Sequence, residues 1–204
     1  MYSNGQFYLI PSFLKLILWL KKWKRHFSIV FRSMGKELPH AIADFNSFCN
    51  GRHPAFNGEN GTRKVMFNNL KQPDLWITDE NQGLYYRFSS DIADSHLVTG
   101  SLNREEAENA KEMEEWFSGW VEEGECSIFS NHIDAYLWML DSLQPQKSMA
   151  IQDDMFPWFG RAKDPDFGKV FLLDRQDTNV HHIFFDDNAR PERSNIDTRD
   201  LQSG

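Results

Sequence analysis

The most constraining feature of the sequence is a short apolar stretch, residues 180–185, that ends in two adjacent carboxylates, Asp186 and Asp187. Its aliphatic and aromatic residues predict a strand buried on both faces, as in a parallel sheet. Open α/β sheets bind their ligands at the carboxyl ends of such strands. Two neighbouring carboxylates repel each other unless a cation compensates them, and Mg²⁺ takes oxygen ligands. The stretch therefore predicts a cation site, with a strand followed by an Asp-Asn turn as the simpler alternative.

The composition is that of a globular chain with an acidic balance. The 204 residues are 40% hydrophobic and 14% aromatic, which is enough for a packed core, and the net charge is −8. An acidic chain argues against general nucleic-acid binding, which needs basic stripes. Two cysteines, Cys49 and Cys126, are too few for a disulfide framework or a zinc cluster, so we expect a cytoplasmic protein.

An apolar segment near the N-terminus, residues 7–20, is shorter than the roughly 20 residues that a membrane-spanning helix needs. No charged segment precedes it and no small-residue cleavage site follows it, so a signal peptide is not expected. We predict a helix at residues 11–23, apolar nearly all round and either buried or half-buried against a sheet. Membrane association is therefore not expected.

Hydrophobic periodicity predicts alternating strands and helices along the rest of the chain. Ser33 ends the first strand, and Gly35 allows the turn into the next helix. The predicted fold is α/β: a Rossmann-like, mostly parallel sheet flanked by helices, with residues 52–147 as a loop and helical insert. Strands are predicted at 27–32, 83–90, 148–152, 170–173 and 196–198, and helices at 11–23, 37–49, 103–121 and 130–143.

Ser33, Lys169 and the pair Asp186 and Asp187 stand in this order in or beside apolar strands. The arrangement resembles the haloacid dehalogenase-like superfamily, a large group of mostly Mg²⁺-dependent phosphatases. The second motif of that family is a Ser or Thr that ends a strand, the third is a Lys, and the fourth is an apolar strand ending in paired acids. The resemblance covers residues 11–51 and 148–200, and it implies one domain, 1–204, that carries the insert.

The resemblance implies a role for each of these residues in handling a phosphoryl group. Ser33 and Lys169 would bind phosphate, and Asp186 with Asp187 would hold Mg²⁺. The implied partner is a phosphorylated small molecule or protein. Two of the residues have simpler alternatives, because Ser33 would also serve as a turn cap and Lys169 as a solvated lysine beside a strand.

The first motif of the family, an apolar strand ending in Asp-x-Asp, is not found before the first predicted helix. In the family the first Asp of that motif is the nucleophile, and its strand lies in the middle of the sheet. The only Asp-x-Asp here, at Asp164 and Asp166, follows a polar segment and is not accepted as a replacement. The resemblance therefore implies a phosphatase-related chain, truncated or rebuilt, that lacks its nucleophile and its central strand. The alternatives are a non-catalytic binding or scaffold protein on the same platform and a membrane-associated protein using residues 7–25.

Overall fold

The structure, a computed structural model, describes residues 7–65, 67, 71, 74–100, 107–143, 146–186 and 196–201. The α-helices in these ranges are α1 (Pro11–Lys22), α2 (Leu38–Cys49), α3 (Ala110–Glu122), α4 (His132–Ser142) and α5 (Phe156–Gly160). The strands are β1 (Ile29–Ser33), β2 (Gln82–Arg87), β3 (Ser95–Thr99), β4 (Ser127–Phe129), β5 (Ser148–Asp153), β6 (Lys169–Leu173) and β7 (Ile196–Asp200).

Five strands form one sheet in the order β1-β5-β2-β3-β4, flanked by helices, and the α/β class is as predicted. The sheet is mixed, whereas the sequence predicts a mostly parallel one: β2–β3 and β3–β4 are antiparallel. The strands β2, β3 and β4 all lie within residues 52–147, the predicted insert. The connection between β2 and β3, residues 88–94, is too short for a parallel crossover, so these two strands can pair only in the antiparallel direction. A separate parallel pair is formed by β6 and β7.

The chain divides into two compact units. Unit 1 comprises residues 1–82 and 140–151, and unit 2 comprises residues 83–139 and 152–204. Among the helices of the described residues, none is both long and apolar enough to cross a bilayer.

Aromatic rings connect β1 of unit 1 to its two neighbouring helices. The ring of Phe31 lies 5.8 Å from the Phe13 ring of α1 and 5.0 Å from the Phe45 ring of α2. Helix α2 has Pro39 in its first turn and is followed by Gly51, whose φ of +67° favours glycine after a helix end. The predictions of α1, β1 and α2 are confirmed.

Helix α1 is half-buried, which is one of the two degrees of burial that the sequence indicates. Leu14 and Ile17 are fully buried, but Leu16, Trp19 and Trp23 are exposed. Apolar residues around a helix do not tell which of its faces is covered by the rest of the protein.

Unit 1 contains a fully buried polar pair that the sequence analysis did not single out. The side chains of Asp44 and His53 are both 0% exposed, and Asp44 Oδ1 lies 3.0 Å from His53 Nε2. The N–H of Leu9 donates a hydrogen bond to Asp44 Oδ2 at 3.0 Å. The N–H of Ala55 donates to His53 Nδ1 at 3.1 Å, so the ring proton is on Nε2, facing Asp44. Burial lowers the pKa of His53, against an opposing effect of Asp44.

The core of unit 2 lies between α3 and the strands β2 and β3. Helix α3 begins later than the predicted residue 103, because Asn109 caps it by accepting a hydrogen bond from the N–H of Glu112 at 3.1 Å. The predicted cap, Asn103, lies outside the described residues. The buried cluster consists of Leu84, Tyr86, Val98, Met113, Phe117 and Cys126.

Helix α4 is confirmed as an element, but its buried face differs from the inward face that apolar spacing predicts, which is Ile133, Leu137 and Leu140. Ile133 and Leu137 are about half exposed and Leu140 is partly buried, whereas Ala135, Tyr136 and Met139 are buried. Apolar residues occur on both sides of this helix, so their periodicity alone does not select the buried side.

Unit 2 holds a buried carboxylate between two guanidinium groups, which sequence reasoning also missed. Arg87 of β2 is 3% exposed; its Nη1 donates to the carbonyl oxygen of Gly168 at 3.1 Å and lies 3.0 Å from Asp197 Oδ2. The Nε of Arg199 donates to Asp197 Oδ1 at 2.6 Å. Because Arg87 and Asp197 are 110 positions apart in the chain, no local sequence pattern indicates their contact.

Candidate functional site

The stretch at residues 180–186 is extended but belongs to no strand, so the prediction of a strand buried on both faces is wrong. Its exposure alternates: Ile183 and Phe185 are 66% and 73% exposed, whereas His182, Phe184 and Asp186 are partly buried. Such a period of two is typical of an extended segment with one packed face. The apolar composition suggested two buried faces, but this structure covers only one of them.

Phe171 of β6 provides the surface on which this segment packs. Its ring lies 5.7 Å from the His182 ring and 5.0 Å from the Phe184 ring. Burial lowers the pKa of His182, with Asp177 opposing the effect, so the packed imidazole favours its neutral form. An apolar strand would direct one of the rings of His181 and His182 to each face, so the sequence predicts that both are packing residues and not metal ligands. His181 is exposed, so packing is confirmed only for His182.

The packed face ends in a direct contact between two of the residues that the sequence analysis selected. The Nζ of Lys169 donates a hydrogen bond to Asp186 Oδ2 at 2.6 Å, and the two side chains are 11% and 5% exposed. Lys169 is the first residue of β6, so the strand fixes its backbone. A charge-assisted bond of this length between nearly buried groups is strong, and each charge compensates the other.

Among the described residues, the groups around Asp186 are a poor match to the ligands that Mg²⁺ needs. Asp186 already contacts an ammonium group, and its predicted co-ligand, Asp187, lies outside the described residues. Among the described residues, no group of three or more His, Cys, Asp or Glu side chains could hold a metal ion. Mg²⁺ prefers near-octahedral oxygen coordination, whereas Asp186 is arranged as the partner of a lysine.

Ser33 belongs to unit 1 and has the geometry of a turn cap. Its Oγ accepts a hydrogen bond from the N–H of Gly35 at 3.0 Å and donates one to the carboxylate of Glu37. A carboxylate at the hydroxyl group repels a phosphate anion. The arrangement is therefore that of the simpler alternative, although a phosphate-binding role of Ser33 stays a prediction.

The two other acidic positions near strand ends have separate structural roles. Asp164 accepts a hydrogen bond from the N–H of Asp166 at 3.1 Å and so caps the short 3₁₀ turn at Pro165–Phe167. Asp153, the last residue of β5, is 3% exposed. The sequence places Asp153 and Asp154 at the end of an apolar strand, where they could face the same sheet edge as Asp186 and Asp187, but the start of a loop is the simpler interpretation.

The fold and the site define an α/β protein with a buried lysine–aspartate pair in one of its two compact units. Comparisons with protein-family models, with curated proteins and with solved structures find no match for this chain. The resemblance to the haloacid dehalogenase-like superfamily therefore stays a prediction from the motif residues of the sequence.

Proposed function

We propose that this chain is a phosphatase-related protein of the haloacid dehalogenase-like type that does not hydrolyse phosphate esters. The observation that carries the proposal is the contact between Lys169 and Asp186, the residues that match the third and fourth motifs of the family. These residues are 17 positions apart, and their proximity is what a shared phosphoryl-binding ancestry implies. A Rossmann-like origin of the sheet belongs to the same proposal.

The chemistry of the site supports a loss of turnover. Hydrolysis in this family needs an attacking carboxylate, and the only Asp-x-Asp of these 204 residues contributes its first Asp as the cap of a short turn. The Lys169 ammonium supplies positive charge at Asp186, so no magnesium step is part of the proposed function. The proposed protein therefore binds a phosphorylated molecule without forming a covalent intermediate. It would do so in the cytoplasm, where free thiols such as those of Cys49 and Cys126 stay reduced.

We expect the purified chain to release no p-nitrophenol from p-nitrophenyl phosphate above the buffer background, with or without Mg²⁺. We also expect Asp186→Ala to lower the free energy of unfolding by about 2 kcal/mol, because it leaves the Lys169 ammonium nearly buried and unpaired. Absorbance measures the turnover, and urea denaturation followed by circular dichroism measures the stability.

The matched control is a double-mutant cycle that adds Lys169→Met and the double variant Lys169→Met/Asp186→Ala. The double variant should lose less stability than the sum of the single variants, since it removes both charges together. Robust turnover that Asp186→Ala abolishes would overturn the proposal. A melting temperature that does not respond to Mg²⁺, together with a stable captured partner, would favour the binding or scaffold alternative over a retained phosphatase site.

A further inference from the structure

Helix α1 exposes an apolar patch that the described residues of unit 1 leave uncovered. The patch, which we call the tryptophan face, consists of Leu16, Trp19 and Trp23. Trp19 and Trp23 are 55% and 60% exposed, and their ring centroids are 6.1 Å apart. Side chains spaced by three, four and seven positions lie on one side of a helix, so these three form a continuous surface.

Positive charge is concentrated around this face. The first 36 positions hold seven of the 22 basic residues of the chain and none of its 30 acidic residues. Lys15 and Lys22 are one turn before and after Trp19, within the same arc of roughly 120° around the helix axis. Lys21 is engaged elsewhere, because it forms a 2.9 Å ion pair with Asp74. The exposed cations beside the face, which we call the basic collar, are Lys15, Lys22, Lys24 and Arg25.

We infer that the tryptophan face and the basic collar bind the surface of an anionic lipid bilayer. Indole rings settle at the headgroup level of a membrane, where the ring is apolar and its N–H stays wet. Lysine and arginine stems lie along the apolar surface while their charged ends reach anionic headgroups. Helix α1, with 12 residues, would lie in the plane of the interface and not cross it.

The size of the face favours a membrane over a protein partner. A helix of 12 residues is about 18 Å long and about 10 Å wide, so one side of it covers on the order of 200 Å². A stable protein interface buries about 800 Å² on each partner. Interfacial anchoring needs only a few inserted apolar side chains supported by cationic neighbours.

A third exposed tryptophan, on another helix, has acidic neighbours in place of basic ones and supplies the control. Trp116 of α3 is 50% exposed, and the same helix carries Glu112, Glu114, Glu115 and Glu122. An anionic membrane repels this helix and attracts α1. An exposed indole ring alone therefore does not predict binding to an anionic membrane. Exposed indole rings next to the basic collar do predict it.

The test is co-sedimentation of the full chain with vesicles of phosphatidylcholine, with and without phosphatidylserine. We expect sedimentation with the anionic vesicles at low salt, little with the neutral vesicles, and a decrease as salt screens the basic collar. Trp19→Ser/Trp23→Ser should weaken the binding about tenfold or more, whereas Trp116→Ser should leave it unchanged. Lys22→Gln/Lys24→Gln should weaken it as well, without removing an apolar side chain.

Three outcomes would overturn the inference. The first is no binding to anionic vesicles, and the second is an equal loss in Trp19→Ser/Trp23→Ser and Trp116→Ser. The third is tighter binding of polyglutamate than of the vesicles, which would assign the surface to an acidic protein. If circular dichroism shows that the tryptophan variant is unfolded, the lysine variant decides, and unchanged binding in it counts against the inference.

Discussion

Asp44→Ala is expected to lower the free energy of unfolding by about 4 kcal/mol. The substitution removes the only side chain that faces both the N–H of Leu9 and the ring N–H of His53 within the described contacts, and it leaves a cavity in a fully buried place. An unsatisfied buried donor costs about 1–3 kcal/mol, and the substitution removes both the carboxylate beside the buried His53 ring and the acceptor of the Leu9 N–H. Urea denaturation monitored by circular dichroism measures the change.

Asp74→Ala is the matched control within unit 1, because it removes an aspartate from an ion pair at the surface. The side chain of Asp74 is 47% exposed and contacts Lys21 at 2.9 Å, so its loss should cost no more than about 1 kcal/mol. Asp44→Asn, which keeps one acceptor oxygen, should fall between the two. Equal effects of Asp44→Ala and Asp74→Ala would contradict the buried pairing.

The same pair makes unit 1 sensitive to acid. Burial, the larger effect, lowers the pKa of His53 below its ordinary value of 6.5, while Asp44 opposes the shift. Above about pH 6.5 the imidazole is neutral in both states; as the pH falls below that value, only the unfolded chain takes up the proton readily, so stability is lost. Burial also lowers the pKa of His96 and of His182, so these two histidines add to the loss of stability in acid. The contribution of His53 is therefore measured by comparing the pH dependence of the free energy of unfolding in the wild type and in His53→Gln.

Arg87→Met is the second substitution with a large expected effect, a loss of about 3 kcal/mol in the free energy of unfolding. It removes one of the two cations beside Asp197, whose side chain is only 7% exposed, and leaves the carbonyl oxygen of Gly168 without this donor. Breaking a buried ion pair from one side is costly because the remaining charge stays buried. Chemical denaturation of the variant provides the measurement.

Arg199→Met tests the same carboxylate from its exposed side. The side chain of Arg199 is 40% exposed, so water replaces part of its interaction with Asp197, and the expected loss is about 1 kcal/mol. The order of the two effects is the decisive result. A larger loss in Arg199→Met than in Arg87→Met would show that the buried guanidinium is not the principal partner.

The sequence predicted those features that depend on short stretches of chain. Periodicity located α1, α2, α4 and the strands β5 and β6, because helix and strand spacing are properties of neighbouring residues. It failed for residues 180–185, where an apolar run was assigned two buried faces. Whether such a run joins a sheet depends on a partner strand, and composition carries no information about that partner.

The candidate site was predictable to a similar extent. The motif resemblance selected both Lys169 and Asp186, and the structure brings them into contact. It did not indicate that Ser33 would use its hydroxyl group within its own turn, between Gly35 and Glu37. The pair of Arg87 with Asp197 had no sequence signal, because residues 110 positions apart meet only after the chain has folded. Asp44 and His53 are nine positions apart, but His53 lies in the loop after α2, and the sequence does not specify the path of that loop.

The alternating contacts of residues 180–186 have a consequence for how Lys169 meets solvent. This segment is held against β6 by side chains such as His182 and Phe184 and belongs to no β-ladder. Because no β-ladder holds this segment, we expect it to detach from β6 at a lower cost in free energy than unfolding of the β6–β7 pair. Detachment would separate the Lys169 ammonium from Asp186, so the fraction of molecules in which this cation can meet an anion would equal the population of the detached state.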